Sequence, residues 1–78
     1  MLYKIKDFEQ ARVYANKVSK FKSDVDISRG RLVFDGKSIM AVIHMGVIAP
    51  FELEIHTSDE EERKRFYEEM EEFRHNVD

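Results

Sequence analysis

The spacing of apolar and polar positions changes period several times along this chain, and each change marks an element. Leu2, Lys4 and Lys6 alternate with Tyr3 and Ile5, as on a short strand with one dry side. From Phe8 the apolar residues Phe8, Ala11, Ala15, Val18 and Phe21 fall at helical spacing, and Asp7 followed by Gln10 forms an N-cap pair. The pattern predicts an amphipathic helix over about 7–21, with Arg12, Lys17, Lys20 and Lys22 on its solvated faces. Asp24-Val25-Asp26-Ile27-Ser28 returns to strict alternation, and Leu32-Val33-Phe34 is a second β-prone run. Gly30 between them suits the turn of a hairpin. The stretch Ile39 to Met45 is apolar throughout; Ser38 as N-cap and Gly46 as stop favour a short helix, while Val42-Ile43 pulls toward a strand. After Pro50, Phe51, Leu53 and Ile55 alternate with Glu52, Glu54 and His56. Ser58 with Glu61 reads as a capping box for a last helix, whose apolar positions Phe66, Met70, Phe73 and Val77 run to the end of the chain.

The order is therefore β-α-β-β-α-β-α. Amphipathic helices alternating with strands that each have one apolar face predict an α+β fold, with three helices on one face of a four-stranded, mainly antiparallel sheet. A chain of 78 residues has room for one core, so residues 1–78 are expected to form a single domain. Without cysteine, neither disulfides nor thiolate metal sites can supplement that core, and six Phe, three Tyr and four Met must supply its volume. No apolar run approaches the roughly 20 residues of a membrane helix, and Met1 to Lys6 lacks the apolar stretch of a signal peptide, so the expected location is cytoplasmic.

Charge changes the picture modestly. The net charge of −3 argues against a nucleic-acid binder, but residues 1–38 carry nine Lys/Arg against five Asp/Glu, whereas residues 39–78 carry four against eleven. Much of the acid lies in Asp59-Glu60-Glu61-Glu62, where it complements the positive end of a helix dipole. The basic half is left as a surface for an acidic partner. His44, His56 and His75 invite a metal or acid–base role, yet no His-x₃-His pair accompanies them, so neither a metal nor a cofactor is expected. A Ser/His/Asp triad needs a cleft that so small a domain scarcely offers, and an enzyme is not expected.

Two blocks are more specific. Val18-Ser19-Lys20-Phe21-Lys22-Ser23-Asp24-Val25-Asp26-Ile27, and then Gly36-Lys37-Ser38-Ile39-Met40-Ala41-Val42-Ile43-His44-Met45-Gly46-Val47, resemble the HPr phosphocarrier family of the bacterial sugar phosphotransferase system. In that family a helix ends in Ser-Lys-aromatic, and a Lys-Ser-Ile-Met-Gly-Val motif begins the second helix. The likeness spans roughly residues 11–73 without a gap between its blocks. It implies an open-faced β-sandwich that passes a phosphoryl group on a histidine from enzyme I to sugar-specific permease components. It also implies a serine, at Ser38, that HPr kinase/phosphorylase phosphorylates in many Gram-positive relatives, the product binding a catabolite-control repressor. Lys37, Ile39 and Met40 would then be docking residues. Ser38 has a plainer role as a helix cap, and the two roles are compatible.

The same alignment sets Asp7 where the family has its phosphorylated histidine and Glu9 where it has the arginine that steadies the phosphate. Two carboxylates repel a phosphoryl donor and supply none of the charge-assisted hydrogen bonds that hold it. Ala41 stands where the family usually has glycine. What the resemblance implies is thus a regulatory or vestigial HPr-like protein. The alternatives are a non-phosphorylated interaction domain, as monomer or homodimer, and a phosphocarrier with an unconventional acceptor such as His44 or Asp7.

Overall fold

Helix α1, Phe8–Val18, begins where the extended backbone of Asp7 lets its carboxylate accept from Gln10 N–H at 2.9 Å, while the Gln10 side chain reaches back to Lys6 N–H at 2.6 Å. These contacts belong to a computed structural model that describes residues 1–76. The helix is shorter than its apolar spacing predicts. Lys20 and Phe21 N–H turn to the carbonyls of Lys17 and Val18, three residues back, which tightens and ends the helix. Phe21 still reaches the core, packing edge-on against Phe66 at 5.3 Å between ring centres. Ala11, Tyr14 and Val18 form the buried stripe of α1, whereas Phe8, counted by spacing on that stripe, is 61% exposed.

Strands β1, Asp24–Arg29, and β2, Leu32–Asp35, form the expected hairpin. Arg29 faces Leu32 across a two-residue turn, and Gly30 takes φ +60°, the conformation that the first turn position of a type II′ hairpin requires. After β2 the chain enters helix α2, Ile39–Gly46, settling the ambiguity of that apolar run in favour of a helix. Strand β3, Glu52–His56, pairs antiparallel with the other side of β1, giving the sheet order β2-β1-β3.

Among the described residues the sheet has three strands, not four. Tyr3 exchanges hydrogen bonds with Phe51 at 2.8 Å in each direction, but its neighbours look elsewhere. Lys4 N–H donates to Phe73 O, Ile5 N–H to Gly46 O, and Leu2 O accepts from His75 N–H. Backbone groups divided among three parts of the molecule are satisfied without forming a ladder, so two isolated bridges, Tyr3 to Phe51 and Tyr3 to Arg74, stand where a strand was expected. The alternation was nevertheless informative, since Tyr3 and Ile5 are buried and Leu2 and Lys6 are exposed.

Val25, Ile27, Leu53 and Ile55 put their side chains on one face of the sheet and join the core with the buried residues of the helices. Asp26, Glu52, Glu54 and His56 lie on the other face, which is open. Helix α3, Glu60–Glu69, is capped by Asp59, whose carboxylate accepts from Glu61 and Glu62 N–H; the predicted cap, Ser58, is one residue too early. Nor does the helix continue to the terminus. It gives way at Met70 to a 3₁₀ turn, Glu71–Phe73, which keeps Met70 and Phe73 in the core, and Val77 lies outside the described residues.

Candidate functional site

The segment between β2 and α2 is held from three sides. Tyr14, fully buried on α1, donates its hydroxyl to Gly36 O at 2.8 Å, and burial pushes the phenol well above its ordinary pKa, keeping it a donor. Gly36 N–H donates to Val25 O, and a β-carbon at Gly36 would sit 2.6 Å from Val25 Cγ1 and 3.2 Å from the Tyr14 hydroxyl, so no larger residue fits without displacement. Asp35 closes the turn: its carboxylate accepts from Lys37 N–H at 2.9 Å and its carbonyl from Ser38 N–H at 3.1 Å.

Ser38 then caps α2. Its backbone is extended, its Oγ accepts from Ala41 N–H at 3.2 Å, and its carbonyl accepts the first helical hydrogen bond, from Val42 N–H. The residue is half-buried, at the end of the helix where the amides of the first turn carry partial positive charge. Met40 is 73% exposed and Ile39 half-buried, so the apolar pair is exposed mainly through its methionine. Met45, the other methionine of α2, packs in the core. Lys37 does not project freely, because its ammonium donates to Phe21 O, tying the turn to the end of α1.

Asp7 and Glu9 lie at the other candidate position, the start of α1. Both are exposed; Asp7 is engaged as N-cap, and Glu9 pairs with Arg12 at 3.3 Å. The structure brings Lys37, Ser38, Ile39 and Met40 together on one turn and helix start, and no hydrogen bond joins that group to Asp7 or Glu9 among the described residues.

The histidines are scattered. His44 is exposed in the last turn of α2, and His75 is half-exposed near the C-terminus. His56, on the open face of β3 as expected, meets Asp26 of β1 at 2.7 Å, and this hydrogen bond, with the nearby acidic groups of Asp26, Glu54 and Asp24, raises its pKa above the ordinary value. A cleft of about 570 Å³ at the edge of β3 is lined by Tyr3, Ser28, Glu52, Glu54, Tyr67 and Glu71 among others, and contains none of the predicted site residues.

Two contributors escaped the sequence. Arg29 donates from Nη1 to Met45 O at 2.8 Å and Ala49 O at 3.2 Å, and Lys4 donates from Nζ to Val47 O at 2.9 Å, so two cations secure the carbonyl end of α2. The helix stops at Gly46 as expected, but without a left-handed residue there. The cap residue Val47 has a right-handed backbone, and Gly46 is needed where Phe51 and Ile5 close in on it. Ile48, 73% exposed just beyond α2, is an isolated apolar residue in a linker and gives no periodic signal.

Residues 8–76 match the family described as the PTS HPr component phosphorylation site. Among solved structures, the crystal structure of HPr-C-His from Thermoanaerobacter tengcongensis superposes with a TM-score of 0.69 at 22% identity, over 99% of this chain and 97% of that one. No curated protein sequence matches.

Proposed function

Since this chain belongs to the HPr family of the phosphotransferase system, we propose that it works there as a regulatory or vestigial member, through Ser38 rather than through a phosphohistidine. The observation that carries the reading is the cap itself. Ser38 Oγ already sits against the free amides of α2, so phosphate oxygens on that atom would meet N–H donors and the positive end of the dipole. In the transfer, Oγ gives its proton to a base of the kinase and bonds to the γ-phosphorus of ATP as the bond from that phosphorus to the β,γ-bridging oxygen breaks and ADP leaves. The added negative charge would stand beside Ile39 and the exposed Met40, altering the surface on which partners such as the kinase/phosphorylase or a catabolite-control regulator dock. Lys37 would contribute through the turn that it fixes to Phe21 O.

The start of α1 supports the negative half of the proposal. The carboxylates of Asp7 and Glu9 occupy the positions aligned with the family's histidine and arginine. Asp7 is committed to a cap, and Glu9 draws Arg12 to itself. The experiment is phosphate incorporation into the purified protein by enzyme I with phosphoenolpyruvate and, separately, by HPr kinase with ATP, each beside Ser38→Ala. Labelling by the kinase alone, lost in Ser38→Ala, is the expected result. Labelling by enzyme I would replace this reading with a phosphocarrier using an acceptor such as Asp7 or His44, and no labelling in either arm would leave a non-phosphorylated interaction domain.

A further inference from the structure

Among the described residues, strand β2 is the one element whose residues are all exposed. Leu32, Val33 and Phe34 are 54%, 60% and 37% accessible, at the edge of the sheet, with a strand on one side only. A flat apolar edge strand is a template for pairing, and folded proteins ordinarily blunt such edges with charge or cover them. Here the charges stand at its two ends and have opposite sign, Arg31 before the strand and Asp35 at its close.

We propose that β2 pairs antiparallel with β2 of a second copy of this chain, about a two-fold axis through Val33. The backbone permits this register. Gly36 N–H donates to Val25 O, and in the alternation of an antiparallel ladder Phe34 and Leu32 then point their N–H and C=O groups at β1, leaving those of Val33 and Asp35 to face outward, with Arg31 in the turn just before the strand. Around the axis Val33 meets Val33 and exchanges two hydrogen bonds with it, while Arg31 stands opposite Asp35 at both ends. On the other face Leu32 stands opposite Phe34, covering apolar surface that each copy leaves bare.

Charge selects this register over its neighbours. An axis at Phe34 would set Arg31 against Lys37 and Val33 against Asp35; an axis at Leu32 would set Val33 against Arg31. Only the axis at Val33 matches opposite charges and apolar with apolar. The groups it needs are available. Arg31 makes no ion pair among the described residues, and Asp35 accepts from Lys37 N–H through Oδ1, leaving Oδ2 to the guanidinium. The pairing does not depend on Ser38 and stands or falls apart from its phosphorylation.

Sedimentation velocity from micromolar to millimolar protein tests it with charge-swapped single variants, after circular dichroism shows that each is folded. Wild type is expected to dimerise. Arg31→Asp sets carboxylates opposite each other and Asp35→Arg sets guanidinium groups opposite each other, so each should raise the dimer Kd about tenfold or more. Mixed in equal amounts, the two variants should form a heterodimer, because both end pairs are then again of opposite sign. Val33→Arg, which puts like charges on the axis and leaves the turn at residues 35–38 untouched, should be monomeric and decides the matter if Asp35→Arg does not fold. A wild type monomeric throughout, single variants that dimerise as wild type does, or a mixture that stays monomeric would each overturn the proposal.

Discussion

Ser38 caps α2 and is the proposed phosphosite, and substitution separates the observed role from the proposed one. As a cap it accepts from Ala41 N–H, and replacing a serine cap by alanine costs about 0.5–2 kcal/mol. Ser38→Ala should therefore lower the urea midpoint as well as abolish kinase labelling. Ser38→Asp keeps an acceptor at the same amides and adds charge where the dipole favours it, so its midpoint should return to wild type or above while labelling stays absent. A Ser38→Asp protein as unstable as Ser38→Ala would show that the Oγ hydrogen bond is not what holds the start of α2. The neighbouring anchors make the comparison clean, because Tyr14 to Gly36 O and Lys37 to Phe21 O fix the turn independently of the serine side chain.

Helix α2 is eight residues long, too short to persist on its own propensity, and is held at both ends by side chains from other elements. At its carbonyl end the strongest hold is Arg29, a charged donor shared between Met45 O and Ala49 O. Arg29→Ala leaves both carbonyls without this partner and should cost about 2–3 kcal/mol, read as a lower urea midpoint at unchanged slope. Nothing local in the sequence announced this contact, since it joins residues 16 and 20 positions apart. The same distinction explains which elements were legible. Strand β3 and the body of α3 each bury one regular stripe, and spacing alone identified them. Spacing extends α1 too far because Phe21 reaches the core through a tightened turn, and it implies a fourth strand because Tyr3 and Ile5 alternate correctly while their backbones bond to different neighbours. Ser38 was legible as a cap because capping is local, but the tether on Lys37 and the exposure of β2 depend on what lies beside them in space.

At the scale of the whole molecule, two titrating contacts on different elements set opposite limits on stability. His56 on β3 has its pKa raised by Asp26, so its contribution is full below the unfolded value of 6.5 and is lost as pH rises through the folded value. Glu62 on α3 has its pKa lowered, first by the hydroxyl of Ser23, which donates to it at 2.6 Å, and then by Thr57. Its contribution is full above the unfolded value of 4.5 and is lost as pH falls through the folded value. Between about 4.5 and 6.5 both contacts contribute fully, so the unfolding free energy from these two groups should be greatest in that window and decline on either side. The two limbs are separable. Asp26→Asn should bring the His56 pKa, followed by NMR, down toward 6.5 and flatten the decline above neutrality, leaving the acid limb intact. Ser23→Ala should raise the Glu62 pKa and flatten the acid limb alone. The contacts share no residue and tie different pairs of segments, β1 to β3 and the start of α3 to the loop before β1, so the effects should add in the double variant. A single variant that flattened both limbs would mean that the sheet and α3 respond to pH as one coupled unit.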